Sequence, residues 1–277
     1  MNESIITRPY PDPTVCRVGG DYYLVSSRFE HFPGVPILHS RDLTDWVRIG
    51  TVPDPASPGG IHAPTLRRHD GRFWLIATRA HGEGNVLFSA EDPAGPWSVP
   101  TPLPDVPGID PDLAWDEDGD CWCTYAGVGQ VRIDPATGRA LGTPTRLWSG
   151  SPGPRVPLAP HLYRVGDHWY LMVVEISDTG LHEVSIARGP RVNGPFEPCP
   201  ANPILTHLGA HHPLRHTGHG DLVQAVDGAW WMVFLGVPAQ GRTPDRHRLD
   251  GETFRAPVHW VDGWPVVGDA MHRDTTR

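Results

Sequence analysis

The chain has 277 residues, among them 32 Pro, 31 Gly and 11 Trp, and a formal net charge of −9 with His neutral. That length suits one large all-β unit that buries most of its unfolded surface without staples; aperiodic Pro and Gly exclude collagen, and the Trp content argues against disorder. No run of Lys or Arg forms a basic stripe, which excludes nucleic acid as a partner, and no apolar run approaches about 18 residues, which excludes a membrane-spanning helix.

The first residues, MNESIITRPYPDP, show no charged start followed by an apolar core. No secretory signal is therefore expected, and a cytoplasmic location is. Cys16, Cys121, Cys123 and Cys199 match neither a zinc knuckle nor a redox pair. They are read as small buried apolar residues.

Along the chain, a glycine turn followed by an aromatic-rich apolar run occurs five times: GGDYYLVSS from Gly19, DGRFWLIAT from Asp70, DGDCWCTYA from Asp118, GDHWYLMVV from Gly166 and DGAWWMVFL from Asp227. The corresponding glycines fall at 20, 71, 119, 166 and 228, at intervals of 51, 48, 47 and 62. A short motif precedes each copy: Asp12-Pro-Thr-Val, Ala63-Pro-Thr-Leu, Asp110-Pro-Asp-Leu, Ala159-Pro-His-Leu and Gly220-Asp-Leu-Val. Its intervals, 51, 47, 49 and 61, give the same period. Each motif with its run reads as strand, glycine turn, strand, which is a hairpin. Further strands are predicted at VPILHS from Val35, NVLFSA from Asn85, QVRIDP from Gln130 and HEVSIA from His182. About fifty residues with four strands is one propeller blade. The prediction is an all-β, five-bladed β-propeller over residues 1–277 as a single domain; the competing reading is a β-sandwich with accidental internal similarity.

The first strand of each propeller blade lines the central channel. At the leading motif position the five blades carry Asp12, Ala63, Asp110, Ala159 and Gly220, and one residue earlier Pro11, His62, Ile109, Leu158 and His219. Two carboxylates therefore converge on one cavity, the equipment for acid–base work on sugars. Asp before Pro also simply begins turns, and the repeat leaves both readings open. The segment from Pro200 to Gly220 adds His207, His211, His212, His216 and His219 without a clean ligand spacing. These are read as rim histidines rather than a metal site.

The blocks RPYPDPTVCRVGGDYYLVSSRFEHFPGVPILHSRDLTDW, GGIHAPTLRRHDGRFWLI, GIDPDLAWDEDG, APHLYRVGDHWYLM, TGHGDLVQAVDGAWWMVFLG and ETFRAPVHWVDGWPVV resemble the β-xylosidase and α-L-arabinofuranosidase branch of glycoside hydrolase family 43. The resemblance runs from about Arg8 to Val267. It implies a five-bladed propeller and an inverting glycosidase with a base that activates water and an acid that protonates the leaving oxygen. By position, Asp12 matches the general base and Asp110 the residue that tunes the acid. Phe29 and Phe32, in the Phe-Glu-x-Phe-Pro-Gly block, match the aromatic side of the sugar pocket. His161 lies in the acid's own block. His219 matches a channel histidine that stands beside a calcium or sodium ion or a water cluster; no cofactor is required.

Three positions depart from the family pattern. Leu158 stands where the acid Glu is expected, His62 where a Trp packs on the sugar, and Gly251 where an Arg reaches the substrate. They fall within the expected pocket while the scaffold blocks are kept, which points to a reshaped site. His62 is read as catalytic, as a substrate contact or as structural. Glu175 is read as a replacement acid, a substrate contact or a structural residue, and Glu30 and Asp112 are weaker candidates to replace the acid. The expected partner is a small molecule or oligosaccharide in the channel. Three functions remain: a glycosidase on xylose- or arabinose-type substrates with an altered site, a non-hydrolytic enzyme on the same scaffold, or a non-catalytic sugar-binding protein. The expected single propeller also lacks the C-terminal β-sandwich of many relatives.

Overall fold

Runs of apolar residues broken by glycine turns favour antiparallel hairpins. The computed structural model describes residues 4–6, 10–27, 34–54, 60–82, 84–177, 180, 182–206, 214–238 and 251–268. Strand β1 (Ser4–Ile6) comes first. Blade one is β2 (Thr14–Val18), β3 (Asp21–Val25), β4 (Val35–Ser40) and β5 (Val47–Val52). Blade two is β6 (Ile61–His69), β7 (Arg72–Arg79), β8 (Asn85–Ala90) and β9 (Thr101–Leu103), with one 3₁₀ turn at Ala80–Gly82. Blade three is β10 (Asp112–Trp115), β11 (Cys121–Tyr125) and β12 (Gly129–Asp134), whose outer side pairs with both β13 (Arg139–Ala140) and β14 (Thr145–Arg146).

Blade four is β15 (Arg155–Val165), β16 (His168–Ser177) and β17 (His182–Gly189), edged by β18 (Glu197–Pro198) and β19 (Leu205–Thr206). Blade five is β20 (Leu214–Gln224), β21 (Trp230–Pro238), β22 (Glu252–Val261) and β23 (Trp264–Val267). Each inner strand contacts the next blade, and β20 returns to β2, so the five sheets close into a ring. The fold is the five-bladed β-propeller that the repeat predicts. Among the described residues there is no α-helix.

The ring is closed by an element that the repeat does not contain. β1 adds to blade five beside β22, with Ser4 opposite Phe254 and Ile6 opposite Thr253. The first strand of the chain thus completes the last blade.

Sheets stacked face to face bury one side chain in two on each face. Five apolar clusters result, one per interface. Ile37, Val52, Leu75 and Phe88 fill the space between blades one and two, and Ile76, Leu113 and Cys123 that between two and three. Leu162, Leu171 and Val128 lie between three and four; Met172, Ile186, Met232 and Phe234 between four and five. Val15, Tyr22, Val223 and Val233 form the seam between five and one. All four cysteines are buried and unpaired, and burial pushes the Cys16 thiol up to about 12.

Candidate active site

One backbone conformation recurs in all five inner strands. Asp12 (φ 55°), Ala63 (45°), Asp110 (53°), Ala159 (45°) and His219 (42°) occupy the left-handed region. In three blades a bulge sits at this residue. The register steps from His62↔Thr78 to Thr65↔Ile76, from Leu158↔Val174 to His161↔Met172, and from Gly218↔Leu235 to Asp221↔Val233. Bulges re-aim side chains and concentrate beside active sites. The conformation costs an L-residue about 1–2 kcal/mol, less for Asp and His, which visit it more readily.

The fifth blade corrects the sequence alignment. His219, not Gly220, is the counterpart of Asp12 and Asp110, and Gly218 is the counterpart of His62 and Leu158. An additional bulge lies just upstream in this strand, between Arg215 and Gly218, with His216 at φ 50°.

At the channel mouth, the Ser27 hydroxyl donates to Asp12 Oδ2 at 2.6 Å. Ser27 Oγ in turn accepts the Ala63 N–H at 2.7 Å. His219 Nδ1 lies 3.5 Å from Asp12 Oδ1. The Asp110 carboxyl accepts a hydrogen bond from the Ala159 backbone, and its own N–H donates to Thr78 Oγ1 at 3.2 Å. Burial pushes the Asp110 carboxyl above its ordinary value; the Asp12 charge adds to that, while His219, His161 and the Ala159 N–H oppose it. Burial also pulls His219 below its ordinary value, against the pull of Asp12 and Asp110. Burial thus disfavours the imidazolium form of His219. His62 and Leu158 are half-buried one residue before the left-handed position, opposite Thr78 and Val174. Across the seam, the Gly251 carbonyl accepts the Tyr10 N–H at 3.0 Å, which brings position 251 beside the Asp12 segment.

Two residues deeper, the inner strands carry Thr14, Thr65, Asp112, His161 and Asp221. Here a network that the sequence did not disclose crosses the channel. Arg67 pairs with Asp112 at 2.9 Å and with Asp221 at 3.0 Å. Both carboxylates are fully buried. Tyr163 donates to Asp221 Oδ1 at 2.5 Å, the Val15 N–H to Asp221 Oδ2 at 2.8 Å, and the Leu162 N–H to Asp112 Oδ2 at 2.8 Å. Burial opposes the guanidinium charge, and Asp112 and Asp221 outweigh it, so Arg67 titrates above its ordinary value. Asp221 is held below its own, Arg67 and its hydrogen bonds outweighing burial.

His161 belongs to this floor. Its Nδ1 lies 3.1 Å from an Arg67 nitrogen and its ring 5.8 Å from that of His219. Asp112, considered as a replacement acid, is fixed by Arg67. Glu175 is fully buried; Oε1 accepts the Ser151 N–H at 2.6 Å and Oε2 the Ser185 hydroxyl at 2.5 Å. Phe29, Glu30, Phe32, His207, His211 and His212 lie outside the described residues.

A calcium or sodium ion beside His219 would need oxygen ligands. The nearby oxygens of Asp112 and Asp221 are engaged by Arg67, Tyr163 and backbone N–H groups. Among the described residues no group of three or more His, Cys, Asp or Glu is placed to hold a metal ion. The Nε2 atoms of His161 and His219 are buried with no hydrogen-bond partner among the described residues.

The five-bladed ring carries carboxylates on two alternate blades at the channel mouth, an arrangement suited to acid–base work on sugars. The family described as "Glycosyl hydrolases family 43" matches residues 1–265, and the chain belongs to that family. It is 39% identical over 301 aligned residues to a xylosidase/arabinosidase of Butyrivibrio fibrisolvens, covering 99% of this chain and 57% of the relative. It is 41% identical to a non-reducing end α-L-arabinofuranosidase of Bacteroides ovatus, covering 98% of this chain and 54% of that protein. Among solved structures, a family-43 protein of Bacillus licheniformis superposes with a TM-score of 0.86 at 33% identity, over 96% of this chain and 56% of that one. The chain thus spans little more than half the length of these relatives.

Proposed function

We propose that this chain is an inverting glycosidase acting on xylose- or arabinose-type substrates, with Asp12 as the base that activates water and Asp110 as the carboxyl that tunes the opposite side. The observation that carries this reading is the pair of carboxylates at equivalent left-handed positions of blades one and three, one hydrogen-bonded by Ser27 and the other pushed up by burial. His62 and Leu158 occupy the neighbouring inward positions and contact the sugar and its aglycone. The saccharide enters the channel mouth, since the Arg67 network closes the floor. Water and carboxylates suffice, so the reaction takes no cofactor. The relatives named as xylosidases and arabinofuranosidases support the sugar assignment.

The test uses 4-nitrophenyl β-D-xyloside and α-L-arabinofuranoside with the purified chain and Asp12→Asn. Hydrolysis that inverts the anomeric centre, read by NMR, and a loss of about 10²–10⁴-fold in the variant are expected. Retention of configuration, or full activity without Asp12, defeats the assignment.

Leu158 favours a second reading, a non-hydrolytic enzyme on the same scaffold, because a hydrocarbon stands where the family places its acid. In that case the folded wild type leaves both glycosides intact and turns over a different small molecule in the same mouth.

A further inference from the structure

This inference rests on the glycosidase reading and concerns what the site holds beyond the sugar. The inward positions of blades four and five are Leu158 and Gly218, each one residue before the left-handed residue of its strand. From them a wall runs outward along the seam between the two blades. Residues opposite one another in antiparallel strands share a face. On blade four one such row is Leu158, Val174 and Val184, and the row nearer the rim is Val156, Ile176 and His182. Val174 and Val184 are buried, Leu158, Ile176 and His182 are half-buried, and Val156 is 56% exposed.

Blade five meets this face with Gly218 and His216, two residues apart in β20. A Cβ on Gly218 would stand 2.7 Å from Val174 Cγ2 and 3.5 Å from His182 Nδ1. Glycine therefore lets the blades close over Val174, and the His182 imidazole stands beside the place that a side chain of blade five would fill. The His216 ring meets that of His182 edge to face, with centroids 5.6 Å apart. The bulge between Arg215 and Gly218 lies at this contact, and bulges re-aim side chains. Glu175 and Glu183 alternate onto the opposite face of blade four, where Ser151 and Ser185 bond the first and Arg155 the second. Neither carboxylate lines the wall.

The wall is thus hydrocarbon at Leu158, Val156 and Ile176 and imidazole at its outer end. Val156 and His182 stand on the first and third strands of the blade, about 10 Å apart at the usual strand spacing. One aromatic ring with a polar substituent spans that distance. We propose that this wall is the aglycone subsite, and that it takes a group with an apolar body and a hydrogen-bond acceptor at its outer end, a phenolic acid rather than a second sugar. The occupant follows from continuity, since the wall starts at the mouth that holds Asp12 and Asp110 and leads away from it. The hydrocarbon carries the ring, and the imidazole edge donates to the acceptor.

The experiment compares 4-carboxyphenyl and 4-methylphenyl β-D-xylosides and α-L-arabinofuranosides, and xylobiose, with wild type, His182→Leu and Val156→Asp. The ratio of kcat/KM for the carboxyphenyl over the methylphenyl glycoside should fall about tenfold in His182→Leu, the worth of a hydrogen bond to a charged group. Leaving-group acidity cancels, because both substrates are compared within each protein. Val156→Asp should raise KM for both aryl glycosides about fivefold through lost apolar contact. A ratio unchanged by His182→Leu overturns the proposal, and so does a wild type that prefers xylobiose to both aryl glycosides. A second readout needs no hydrolysis: 4-hydroxybenzoate, but not 4-methylphenol, should shift the imidazole proton resonances of His182 and His216 in wild type. If it shifts neither, the subsite is overturned whether or not glycosides are cleaved. If it shifts both while every glycoside stays intact, the subsite stands and the glycosidase reading has failed. The wild-type resonances serve as the test even if a variant does not fold.

Discussion

The mouth and the floor of the channel are built from the same five strands, two residues apart, yet they hold charge in opposite ways. At the floor a guanidinium sits between two fully buried carboxylates, and Tyr163 and two backbone N–H groups complete their hydrogen bonding. Every charge has its opposite within 3.0 Å, which fixes the geometry and leaves no reactive group. At the mouth, His219 Nδ1 lies 3.5 Å from Asp12 Oδ1, and burial disfavours the charged form of that imidazole. Asp110 is raised by burial and by the charge of Asp12. The two layers differ in pairing rather than in burial alone: the floor carboxylates are ion-paired with Arg67, and Asp110 is not placed in such a pair.

The largest expected effect tests the floor. Arg67→Leu strands two buried carboxylates and should cost about 3–5 kcal/mol of stability, measured by urea unfolding; a near-neutral outcome would erase the contrast between the layers. Asp12→Asn should leave the unfolding midpoint close to wild type while removing activity on aryl glycosides, so that stability and catalysis separate by layer.

The next prediction concerns pH. His219 titrates below its ordinary value in the fold, so the unfolded chain takes up the proton first. Stability is then full above about 6.5 and falls as pH drops from there towards the folded value. His219→Gln should reduce the acid-side decline in melting temperature over that range. The smallest effect is at Asp110, whose carboxyl is raised. Its ionised form is disfavoured in the fold, so Asp110→Asn should raise the melting temperature at pH 7. The gain should disappear below about 3.9, where the carboxyl is protonated in both states.

The blades were legible because each must repeat the same hairpin, and the glycine turn and aromatic run are local signals. Asp12 and Asp110 were placed on the inner strands for the same reason, since each opens the short motif that recurs there and holds the same left-handed conformation. The fifth blade was misaligned by one residue because Gly220 replaces the Pro that follows the leading residue in the other four blades, and because the turn from Gln224 to Trp230 is longer than those of blades one and two. The floor was missed for a different reason. Arg67, Asp112 and Asp221 come from three blades and meet only after the ring closes; a lone Arg four residues after Ala63 was the available hint. β1 also escaped notice, because Ser4–Ile6 has no turn of its own and takes its register from Phe254 and Thr253.

That last strand sets a timetable for biosynthesis. Its partner lies almost the whole chain away, and at 5–20 residues per second a ribosome needs roughly 10–50 s to deliver it. Through that interval the edge of the newborn chain is an unclaimed template for other strands. Blades one to four can form as they emerge, but the seam holding Asp221 against Val15 cannot. The mouth of the channel is therefore assembled last, in a single docking step, and nascent chains stalled before blade five should be the ones that chaperones hold.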